Sequence, residues 1–168
     1  IGPAVDLIRV DPSIVPTITL QVPLTSVVGA GASARLTISG MAMGSALRTV
    51  VQGGTETHVF ALRSHYVDLM GFSIVGGQIG IDVAMPAQVG PMVMARIMQC
   101  ELDGQTACGV KLHATGTEES LLMTMRTELR NMPVGFFIDD QSNGGRVMGE
   151  CEFLTMDGVD VGCDLIEN

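Results

Sequence analysis

The chain has no tryptophan and only one tyrosine, and aromatic residues make up 4% of its 168 residues. Aromatic platforms on which sugar rings could stack are therefore scarce. Basic residues are few as well: nine Lys and Arg against eighteen Asp and Glu, for a net charge of −9. Phosphate recognition needs clustered Lys and Arg, so nucleic acid is not an expected partner. Gly, Pro or charge interrupts every apolar stretch before it reaches the roughly 18 residues of a membrane span. The four Cys form no C-x-x-C pair and there are three His, which argues against structural zinc. Free, buried thiols are the expectation, and core filling is the expected role of the twelve Met. No signal peptide opens the chain at Ile1. The missing initiator Met suits a processed or excised piece.

What is present is aliphatic. Hydrophobic residues reach 46%, with 21 Gly, a composition too apolar for disorder. It suits one domain with a narrow core of similar-sized side chains. A short pattern that begins with Gly recurs at Gly80-Ile81-Asp82-Val83, Gly109-Val110-Lys111-Leu112, Gly135-Phe136-Phe137-Ile138 and Gly158-Val159-Asp160-Val161. A second recurs between them: Phe72-Ser73-Ile74, Cys100-Glu101-Leu102, Thr127-Glu128-Leu129 and Cys151-Glu152-Phe153. Both alternate apolar and polar residues, the period of a strand with one buried face. Turn residues such as Gly76-Gly77, Asp103-Gly104 and Asp157-Gly158 punctuate them.

Stacking the repeats predicts four inward files. They run Ile81, Val110, Phe136, Val159; Val83, Leu112, Ile138, Val161; Phe72, Cys100, Thr127, Cys151; and Ile74, Leu102, Leu129, Phe153. Thr127 is the only polar member. The expected fold is all-β, a right-handed parallel β-helix (solenoid) of about 5–6 coils of roughly 21–29 residues. Residues 1–168 read as one domain, with irregular coils over 1–57 and regular coils over 58–168. The last repeat starts at Gly158 without a cap, so the open end is expected to be truncated or to pair with another copy.

The phrase Tyr66-Val67-Asp68-Leu69-Met70-Gly71-Phe72-Ser73-Ile74-Val75-Gly76-Gly77, followed by Gly80-Ile81-Asp82-Val83, resembles the repeat of bacterial right-handed β-helix proteins of the pectin-lyase-like superfamily. The resemblance covers roughly residues 33–168. It implies the fold more than a function, since that superfamily holds polysaccharide lyases, glycoside hydrolases, epimerases, phage tailspikes and non-catalytic surface proteins. Of the hydrolase signatures only Asp139-Asp140 is present. The Asp-Pro-His motif of epimerases and a pectate-lyase-like set of calcium-binding Asp residues with a catalytic Arg are absent.

Equivalent outward residues on adjacent coils lie about 4.8 Å apart. One outward file should run Asp82, Lys111, Phe137, Asp160, and the next Ala84, His113, Asp139, Gly162, with Arg63 one coil earlier. Lys111, His113, Asp139 and Asp140 would then share a patch able to do acid–base work on an acidic sugar, with Arg63 and Asp82 as binding groups. Ordinary cross-coil charge pairs, Asp82–Lys111 and His113–Asp139, explain the same residues. A further file, Ser73, Glu101, Glu128, Glu152, stacks three carboxylates. Ca²⁺ could offset their repulsion. Arg126 and Arg130 could do so instead, and that salt-laced face is the preferred reading. Asn131 and Asn143 are expected to brace turns.

The leading functional expectation is a non-catalytic structural or binding module of a bacterial secreted or surface protein that contacts polysaccharide. Its location would be extracellular or at the cell surface. The alternatives are a polysaccharide lyase or glycoside hydrolase, and a tailspike-like trimer, which would need an exposed apolar stripe.

Overall fold

The computed structural model describes residues 5–26, 35–41, 46–54, 58–63, 66–84, 92–114, 119–141 and 146–167. Asn143 lies outside them. All regular structure there is β, and every strand-to-strand ladder is parallel. One six-stranded sheet stacks β1 (Val5–Arg9), β4 (Arg35–Ser39), β7 (Tyr66–Met70), β10 (Met92–Met98), β13 (Glu119–Met125) and β15 (Arg146–Glu152). These six strands number the rungs, one to six, and form the first face.

The second face stacks β2 (Thr17–Thr19), β5 (Thr49–Gly53), β8 (Phe72–Gly76) and β11 (Glu101–Asp103). The third stacks β3 (Leu24–Ser26), β6 (His58–Leu62), β9 (Ile79–Ala84) and β12 (Cys108–Ala114). In the last two rungs a single long strand, β14 (Glu128–Asp140) and then β16 (Thr155–Glu167), crosses from the second face to the third. The result is a parallel β-solenoid of about five turns.

Two corners repeat in every regular rung because the chain there enters the left-handed region. Between the first and second faces stand Gly71, Gln99, Arg126 and Phe153, with φ of 71°, 53°, 50° and 54°. Between the second and third stand Gly76, Gly104, Asn131 and Gly158, with φ of 67°, 74°, 52° and 63°. Asn131 tolerates that conformation through its short polar side chain, and its Nδ2 donates to Asp103 Oδ1 at 2.8 Å. Asn131 thus holds the corner through a side-chain bond to the adjacent coil.

From rung three onward, at the start of the third face, the coils approach so closely that only glycine fits. A Cβ on Gly80 would lie 2.7 Å from the carbonyl oxygen of Gly109; one on Gly109 would lie 3.0 Å from Gly135 O; one on Gly135, 2.8 Å from Gly162 O. The repeated glycine is therefore a spacing requirement between coils.

Inside, the predicted files hold through rungs three to five. Ile81 and Val110, Val83 and Leu112, Ile74, Leu102 and Leu129 are buried and in register. The polar Thr127 is satisfied, its Oγ1 donating to Ile97 O and Met125 O. In rung six the register differs from expectation. Phe136 pairs with Cys163, Ile138 with Leu165 and Leu129 with Met156. Gly162, not Gly158, continues the close-packed glycine file, while Gly158 is a corner. Glycine intervals in that file are thus 29, 26 and 27 residues. The first part of β16 supplies the second-face strand of rung six.

This shift moves Cys151 off the Cys100 file: it pairs with Thr124 on the first face. Cys100 and Cys108 are buried free thiols, whereas Cys151 and Cys163 are free and exposed. The inward side chains of rung six have no coil beyond them to cover them among the described residues, and Met156 and Val161 remain 38% and 44% exposed.

Methionine departs further from expectation. Met132 is buried in the core, but Met70, Met94, Met98, Met123, Met125 and Met148 are only half-buried. They alternate with the inward residues Leu69, Ala95, Ile97, Leu122 and Thr124, which are at most 3% exposed. A two-residue period places neighbours on opposite faces of a sheet, so these methionines line the outside of the first face.

Candidate functional site

Strand register places the acid–base candidates on the outer side of the third face. Asp82, Lys111 and Phe137 stack as expected, and so do Ala84, His113 and Asp139. Their rung-six neighbours are Asp164 and Ile166, in place of the expected Asp160 and Gly162. The groups engage each other. His113 Nδ1 lies 2.8 Å from Asp139 Oδ2, and Gln141 Nε2 donates to Asp139 Oδ1 at 3.1 Å. Partial burial would raise the Asp139 carboxyl, but those two hydrogen bonds and the Lys111 and His113 charges outweigh it and hold it below the ordinary carboxylate value. Lys111 Nζ sits 5.4 Å from the Phe137 ring centroid, within cation–π range. Asp140 pairs in register with Ala114, one position beyond the His113–Asp139 pair.

Asp82 is 6% exposed. Its ion pair is to Arg63, whose Nη2 reaches Oδ2 at 2.5 Å while Nη1 donates to the Asp82 carbonyl at 2.8 Å. His58 Nδ1 approaches the same Oδ2 at 3.2 Å. The loop position of Arg63, just past β6, thus clamps rung two to rung three.

The carboxylate file on the second face is shorter than expected. Ser73, Glu101 and Glu128 are in register, but Thr155 takes the next place. Glu152 ends β15 on the first face, beside Met125. Arg130 bridges the two remaining carboxylates, donating to Glu101 Oε1 at 2.6 Å and to Glu128 Oε2. Arg48 reaches the other Glu101 oxygen at 3.2 Å. Arg126 stacks near Phe153 instead, 5.9 Å from its ring. Among the described residues no group of three or more His, Cys, Asp or Glu could hold a metal ion.

The sequence reading missed a cluster on the first face. Asp68 is 4% exposed. It receives Arg35 Nε at 2.6 Å and Nη2 at 2.5 Å on Oδ2. Arg96 adds Nε to Oδ1 at 2.6 Å and Nη2 to Oδ2 at 2.8 Å. Thr37, Asp68 and Arg96 share one file, and Arg35, Tyr66 and Met94 the next. Arg35, Tyr66, Asp68, Met94 and Arg96 line a cavity of about 200 Å³. Two guanidiniums on one carboxylate leave an excess positive charge in an acidic chain. The signal available was the alternation in Tyr66–Met70 and Met92–Met98, but in register these strands repeat only Met70 and Met98, and nothing marks Asp68 opposite Arg96.

A second cavity, about 510 Å³, opens at the rung-six end of the core between Leu122, Phe136, Cys151, Met156 and Cys163. None of the acid–base candidates lines either cavity.

Fold and register define a parallel β-solenoid repeat protein. The chain matches no family model, no curated protein and no solved structure.

Proposed function

We propose that this chain is a non-catalytic structural or binding module. The observation that carries the reading is the engagement of the candidate groups with their neighbours: His113 with Asp139, Lys111 over Phe137, and Asp82 with Arg63. General acid–base chemistry needs groups within reach of a bound substrate, and these face outward from a sheet without lining a described cavity. The pectin-lyase-like resemblance supports placing the module on a right-handed coil, the usual hand of parallel crossovers. It also supports a bacterial secreted or surface setting and an acidic polysaccharide as the ligand to test first.

The experiment is incubation with polygalacturonate, alginate and glycosaminoglycans, following unsaturated products by ultraviolet absorbance and new reducing ends. Retention of these polymers without cleavage is the expected result. Cleavage that disappears in Asp139→Ala would replace the module with a lyase or hydrolase.

A further inference from the structure

We infer that the outer side of the first face is a self-association surface that docks a second copy of the chain in antiparallel orientation. The inference rests on the module reading and names its partner. Tyr66, Met94, Met98, Leu121, Met123 and Met125 form an apolar band across rungs three to five, each half-buried. Methionine is flexible and polarizable, and it is favoured where a surface must adapt to another.

Charge chooses the occupant. In rungs two to four, with Asp68 and Arg96 set among the band residues, Arg35 and Arg96 share Asp68, a net charge of +1. Each guanidinium has five N–H donors, and both spend only Nε and Nη2 on Asp68. Their Nη1 groups remain able to receive a carboxylate. In rungs five and six, β13 and β15 carry Glu119, Glu150 and Glu152 against a single Arg146. An antiparallel two-fold brings the basic half of one copy onto the acidic half of the other, so both ends match at once. Parallel stacking would set like charges opposite each other, which is destabilising.

The size sets the strength. Rungs two to six span about 19 Å along the axis, and a seven-residue strand about 23 Å across. That is on the order of 400–500 Å² per partner, below the roughly 800 Å² of a standard stable interface. The dimer should therefore dissociate on dilution.

Sedimentation velocity across a wide concentration range tests this. The expected result is a monomer–dimer equilibrium for the native chain, weakened at least roughly tenfold in Leu121→Lys and in Glu150→Arg/Glu152→Arg, because each removes more than about 1.4 kcal/mol. Met125→Lys serves if Leu121→Lys fails to fold by circular dichroism. Raised salt should weaken association. A native chain that stays monomeric at every concentration overturns the inference. So does a dimer indifferent to these variants but lost in Met156→Lys, since association would then run through the open rung-six end. Polysaccharide cleavage would sink the module reading on its own, and the sedimentation result would still be read separately.

Discussion

Replacing Gly80 by Ala tests the coil spacing directly. The new methyl would stand 2.7 Å from the Gly109 carbonyl oxygen and 2.8 Å from Leu102 Cδ2. Leu102 is fully buried, so its side chain has little room to withdraw, and the oxygen belongs to the backbone of the next coil. The two coils must separate locally, at the overpacking cost of about 1–3 kcal/mol. A smaller opposing effect comes from the unfolded chain, which Ala restricts by about 0.4–1 kcal/mol relative to Gly. The net loss should be about 1–2 kcal/mol. Gly149 is the control: a Cβ there meets nothing within 4 Å, so Gly149→Ala should be neutral or stabilise by up to about 1 kcal/mol. Urea unfolding followed by far-ultraviolet circular dichroism measures both midpoints. If Gly80→Ala costs no more than Gly149→Ala, the close approach of the coils is wrong.

Leu129→Ala should cost about 2–5 kcal/mol by opening a cavity in a fully buried file, read by the same unfolding curves. Glu101→Gln removes one charge from the carboxylate file, but with Arg48 and Arg130 both on Glu101 it should cost up to about 1 kcal/mol. Loss of that cost in high salt would confirm its ionic origin. Burial pushes the Cys100 and Cys108 thiols up to about 11 from 9.0. The unfolded chain therefore releases those protons first, and stability should fall as pH rises from 9 towards 11. A flat stability profile there would contradict their burial. At neutral pH a maleimide should label Cys151 and Cys163 in the folded chain and reach Cys100 and Cys108 only after unfolding.

The all-β class, the one-coil repeat and the core files of rungs three to five were legible in the sequence. Strand alternation and a glycine required at each close approach leave marks on each of these rungs. The second-face files through Glu101 and Glu128, and the neighbours His113 and Asp139, followed from the same register. Rung six was not legible. Gly158-Val159-Asp160-Val161 and Gly162-Cys163-Asp164-Leu165 follow the same polar–apolar pattern four residues apart, and a shift by an even number preserves inside and outside. Only the ladder from β14 to β16 decided between them, and with it the places of Val159 and Val161, while the ladder from β13 to β15 decided those of Cys151 and Glu152. The first face was hidden for another reason. Its strands keep the inward alternation, and outside they repeat only the Met70, Met98, Met125 file, so Arg35, Asp68 and Arg96 lie 33 and 28 residues apart without a motif. Their meeting at one buried carboxylate, and the outward turn of six methionines, arise from which strands lie side by side, a property that pairing across coils decides.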